Sequence, residues 1–144
     1  MSSLLFAGAY AGGIAGVILT LFAHVAPRFG AGNFIRDVDE PQVFGRNISH
    51  REAHFLCILL HLLMSIVSGM IFAFGVDRAW ISGFHILPML GFATLIMMFS
   101  ASILMPLEGH GFFGVKHDRW FMIDALLTNI VWGGLYLLLI QLWI

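Results

Sequence analysis

The chain has 144 residues, 60% of them hydrophobic and only 10% charged, with a formal net charge of −1. Globular averages are about 45–50% and 25%, so an ordinary soluble domain is excluded, and the seven dispersed basic residues give no electrostatic footprint for nucleic acid. The single cysteine, Cys57, forbids an intramolecular disulfide.

No Asp, Glu, Lys or Arg occurs from Met1 to Pro27, from Ala53 to Val76 or from Ala79 to Leu107, and the stretch from Trp120 to Ile144 holds one, Asp124. Each stretch exceeds the roughly 20 apolar residues that carry a helix across a bilayer core. A soluble core of this size cannot cover every face of four such segments. The expected fold is therefore all-α, an integral membrane four-helix bundle forming one transmembrane domain over residues 1–144. Its spans are expected at about 3–25, 50–74, 81–105 and 118–142.

Span 1 begins without the basic n-region of a cleaved signal and is read as retained. Gly8, Gly12 and Gly16 recur every fourth residue and so share one face, where another helix can approach closely. Pro27 ends the span. The connection Arg28 to Ser49 is polar and is expected as a solvated loop or a short surface helix. Its Asp37-Val-Asp-Glu40 run lacks the glycine-and-spacing pattern of a calcium loop.

Span 2 opens on Ser49-His-Arg-Glu52, which has the form of a capping box, and is expected to end at Gly75. Ser65, Gly69 and Ala73 form a second small-residue ridge. A turn through Asp77 and Arg78 leads to Trp80, an aromatic suited to the membrane interface. Span 3 contains Pro88, expected to kink it, and stops at Pro106. Span 4 carries Gly133-Gly134 as a further close-packing point. Six of the seven basic residues lie in loops 1 and 3 or at the start of span 2, so both termini are expected outside and loops 1 and 3 in the cytoplasm.

His50, His54, Cys57 and His61 lie within about 40° of one line on span 2. Imidazole and thiolate are the preferred ligands of several transition metals. The four cannot share one ion, because His50 to His61 spans roughly 16 Å of helix. Asp124 is a carboxylate inside a span, expected to face protein or water and to be paired. It is expected in the same half as His54 and His61, with Glu108 or His110 near the mouth of that pocket. His50, His54, Cys57, His61, Glu108, His110 and Asp124 are thus the candidate metal-site residues. The favoured reading of the span-2 histidines is hydrogen-bonded packing, followed by a transition metal and then a proton path. A b-type haem is the weaker metal option, since His61 has no second histidine at matching depth on another helix.

The run Met105-Pro-Leu-Glu-Gly-His-Gly-Phe-Phe-Gly114, after a small-residue span 1 and the His61 to Gly69 segment, resembles a loose group of uncharacterised small four-helix prokaryotic membrane proteins. The chain departs from that group in having Asn129 where a histidine is common. The resemblance implies a prokaryotic cell membrane and carries no activity with it. The expected function is a non-catalytic accessory or interaction subunit, with the lipid bilayer and other membrane subunits, or further copies of itself, as partners. The alternatives are metal-ion or proton binding and transport, and a haem or quinone electron-transfer subunit.

Overall fold

The computed structural model describes residues 3–25, 42–43, 46–47, 49–107, 111–114 and 121–144. Helix α1 is Ser3–Val25 and α2 is His50–Asp77. Between them Gln42–Val43 (β1) pairs antiparallel with Arg46–Asn47 (β2), Gln42 opposite Asn47 and Val43 opposite Arg46. The expected loop thus contains one short antiparallel strand pair among its described residues. Helix α3, Ile86–Phe99, continues through a π turn, Ser100–Leu104, into one further α turn, Met105–Leu107. A 3-10 turn, Phe112–Gly114, precedes helix α4, Phe121–Ile140. Four segments, of 21, 24, 18 and 19 residues, are long and apolar enough to cross a membrane. Asp37 to Glu40, Glu108 and His110, and the expected start of the fourth span, lie outside the described residues.

The capping box forms as its sequence requires. Ser49 donates its backbone N–H (2.9 Å) and its hydroxyl (2.7 Å) to the Glu52 carboxylate. The Glu52 N–H donates back to the Ser49 hydroxyl at 3.3 Å. Two otherwise unmatched amides at the helix start are thereby satisfied. The other end of α2 departs from expectation. Gly75 does not stop the helix; it is buried against Ile81, where a Cβ would come within 2.6 Å of that side chain. Two turns of carbonyl capping follow instead, Arg78 N–H to Phe74 and Trp80 N–H to Gly75, with Ala79 in the left-handed region at φ 57°.

Both prolines of α3 behave differently from a simple kink and stop. The helix begins at Ile86, so Pro88 falls in its first turn, where the missing N–H has no intrahelical partner to lose. Pro106 lies inside the helical continuation. Its ring excludes the carbonyl of Ser102, four residues back. The backbone widens just before it into the π turn, where Met105 N–H reaches Ser100.

The two small-residue ridges meet. Gly8 lies against Gly69 and Ala73, Gly12 against Ser65 and Gly69, and Gly16 against Ser65. A Cβ at Gly16 would stand 2.6 Å from the Ser65 hydroxyl, so only glycine permits this approach. The partner of the α1 ridge is thus α2 of the same chain. Helix α4 covers the seam: Trp132 Nε1 donates to the Gly12 carbonyl (3.3 Å) and the Tyr136 hydroxyl to the Gly69 carbonyl (3.1 Å). Gly133 packs on Met89 of α3, whereas nothing approaches Gly134 within 4 Å. Phe72 closes the α2–α3 side, edge-on to Phe92 (5.2 Å) and to Tyr136 (5.7 Å).

The core is lopsided. Ala7, Ala11, Ala15, Phe72, Met89, Trp132, Tyr136 and Ile140 form one buried cluster at the end of the bundle that holds both termini. Towards the other end, no described side chain is buried on α1 beyond Gly16, on α2 before Ser65, or on α4 before Trp132. Among the described residues, only α3 and its continuation keep buried residues there, Met97 and Ala101.

Candidate functional site

The less packed half contains the titratable residues singled out above. His61 is half-buried, with its ring turned to α1 and the Gly16 carbonyl facing it. That carbonyl also accepts the Thr20 hydroxyl at 2.9 Å. The Nε2 atom of His61 is sealed from solvent and has no hydrogen-bond partner. Burying an imidazole nitrogen in this way costs free energy, because its hydration is lost and nothing replaces it.

His54 lies seven residues earlier, within about 20° of His61 around the helix, yet it is exposed. The glycine contacts of α1 on α2 reach from Ala73 to Ser65 and do not extend to His54. Asp124 is also exposed and belongs to the first turn of α4. The register set by Trp132 on Gly12 and Tyr136 on Gly69 puts it in the same half as the two histidines. It points outward, in line with exposed Leu127, Val131 and Leu138. Among the described residues none pairs with it. Asn129 spends its amide on its own helix, donating to the Ala125 carbonyl at 2.8 Å.

Of the three residues expected to share a polar pocket, His61 is turned into the seam while His54 and Asp124 are exposed, and Glu108 and His110, expected at its mouth, lie outside the described residues. Among the described residues no three His, Cys, Asp or Glu side chains stand close enough to hold a metal ion. The backbone places His50 at the first position of α2 and Cys57 one turn before His61, while their side chains, like Glu108 and His110, lie outside the described residues. His85 caps α3 at the opposite end of the bundle.

The residues that sequence reasoning missed are Trp132 and Tyr136. Their separation of four was the available signal. It stacks the two rings (centroids 5.4 Å apart) and aims two donors at one face, where buried aromatic N–H and O–H groups need acceptors. Comparison with protein-family models, curated proteins and solved structures gives no match.

Proposed function

We propose that the protein is a small, non-catalytic subunit of a prokaryotic cell membrane, and that it acts by assembling with another membrane chain. In this reading both termini lie outside, with loops 1 and 3 in the cytoplasm. The observation that carries it is the outward position of Asp124 at the base of the α4 stripe formed by Leu127, Val131 and Leu138. An ionisable group on a lipid-facing stripe is costly and is offset by pairing. A donor or cation from a second chain at the same depth supplies that pair. A second copy docked symmetrically through this stripe would set two Asp124 carboxylates against each other, so a different chain with a basic or donor residue is the favoured partner.

Photo-crosslinking residues introduced at Leu127 and Val131, read in intact membranes, test the proposal. The expected result is one discrete crosslinked protein species, lost or strongly reduced by Asp124→Leu. Crosslinks to lipid alone, unchanged by that substitution, contradict it.

A proton-linked role has one specific observation in its favour, the sealed and unpartnered Nε2 of His61.

A further inference from the structure

We propose that His61 makes the α1–α2 seam a pH-operated hinge. Proton uptake at its Nε2 opens the seam below Gly16, while the glycine-packed half above it stays closed. This device does not rest on the partner reading of Asp124.

Three observations converge on it. The first is position. His61 sits where the glycine seam ends: Gly16 is the last of the described α1 residues to be buried, and no described side chain of α2 before Ser65 is buried. Among the described residues, the fully buried contacts of the two helices therefore lie on one side of His61.

The second is the sealed nitrogen. Nε2 has no partner, so a proton added there in the closed seam creates a donor with no acceptor and a cation with no counter-charge. Among the described residues, the acids all lie elsewhere. Helix α1 has no Asp, Glu, Lys or Arg, and its titratable residues are Tyr10 and His24. Helix α3 has none of these charges, and the one acid of α4, Asp124, is exposed on the outward stripe. On α2 itself His50, Arg51, Glu52, His54 and Cys57 precede His61, and Asp77 stands at the far end of the helix.

The third is the contact that keeps the ring inside. It faces the Gly16 carbonyl, a neutral contact that water replaces when the helices separate. Separation of the helices there admits water to Nε2 and lets the imidazolium be hydrated. The open form therefore binds the proton better than the closed form, and falling pH shifts the population towards it. An imidazole titrates within the range where such a shift matters to a cell. The upper half is insulated, because Gly8 and Gly12 meet Ser65, Gly69 and Ala73 directly, with no histidine or carboxylate among their contacts.

Pulsed electron-paramagnetic-resonance distances in lipid nanodiscs test this, with Cys57→Ala as background. One pair of spin labels replaces exposed Leu21 and Leu59 below the seam; a control pair replaces exposed Phe6 and Ile71 above it. Between pH 8 and pH 5 the lower pair is expected to lengthen by about 2 Å or more, with the control pair constant. In His61→Phe the lower distance is expected to be independent of pH. Nitrogen-15 spectra of the histidines, with His61 in place, supply a check that needs no His61 substitution: His61 must gain its proton over the same pH range as the movement. A constant lower distance in the wild-type chain overturns the hinge. So does movement that persists in His61→Phe, movement of both pairs together, or a His61 that titrates without movement.

Discussion

The Tyr136 hydroxyl donates to the backbone carbonyl of Gly69 at 3.1 Å, across 67 positions of sequence and at the point where α1, α2 and α4 meet. The carbonyl is accessible because residue 69 has no side chain, and Gly12 stands beside it for the same reason. Tyr136→Phe keeps the ring and its contacts with Phe72 and Trp132 but loses this bond. The expected cost is about 0.5–1.5 kcal/mol, within the range that single polar contacts between membrane helices contribute. Tyr136→Ala is expected to cost about 3–5 kcal/mol. Reversible unfolding in mixed micelles measures both; equal losses for the two variants contradict the packing described.

The glycines divide into those with neighbours and those without. A Cβ at Gly12 collides with the Ser65 carbonyl, whereas at Gly91 it meets nothing within 4 Å. Gly12→Leu is expected to keep insertion intact while lowering stability by about 1–3 kcal/mol through overpacking. Gly91→Ala is expected to be neutral or to stabilise by up to about 1 kcal/mol through helix propensity. Thermal unfolding of the two variants in one detergent decides the matter. If Gly12→Leu melts as the wild-type chain does, the seam is not where it has been described.

Much of this arrangement was legible in the sequence, and the rest was not for identifiable reasons. The four charge-free stretches and the Ser49–Glu52 box are local signals, and they gave the helices and the start of α2. The ridges at Gly8, Gly12, Gly16 and at Ser65, Gly69, Ala73 were visible as close-packing faces. That each is the other's partner is a tertiary fact that periodicity does not contain. Pro88 was misread because its effect depends on where the helix starts: inside a helix it kinks, in the first turn it does not. His54 and His61 have nearly the same helical phase and were expected to share a pocket. His61 is half-buried and His54 exposed, a difference of position along the helix that phase alone does not reveal.

Glu52 supplies a pH prediction outside the spans. The hydrogen bonds from Ser49 hold its carboxyl below the usual carboxylate range. A depressed folded value means the contribution is fully present above the unfolded value of about 4.3 and is lost as pH falls through the folded one. Amide exchange in the first turn of α2, corrected for intrinsic rates, is therefore expected to accelerate as pH drops below about 4. In Glu52→Gln this acceleration should be absent. A first turn equally protected throughout that range in the wild-type chain contradicts the role given to the box.

The proposed orientation follows from six of seven basic residues falling on one side. Single cysteines at Ser2 and Asn33, in a Cys57→Ala background, are expected to react with an impermeant thiol reagent in intact cells at Ser2 only. Labelling at Asn33 but not at Ser2 reverses it.

The internal pairing of α1 with α2 underlies every placement above, including the sealed His61 and the outward Asp124. Gly13 and Ile66 flank this seam: a Cβ at Gly13 would stand 3.1 Å from the Ile66 Cγ1 atom. Cysteines replacing both, in the Cys57→Ala background, are therefore within disulfide reach without entry into the glycine contacts. Mild oxidation in the membrane is expected to give a bridge within one chain, seen as a monomer with altered mobility that reductant reverses. Disulfide-linked dimers with no intrachain bridge would contradict the account.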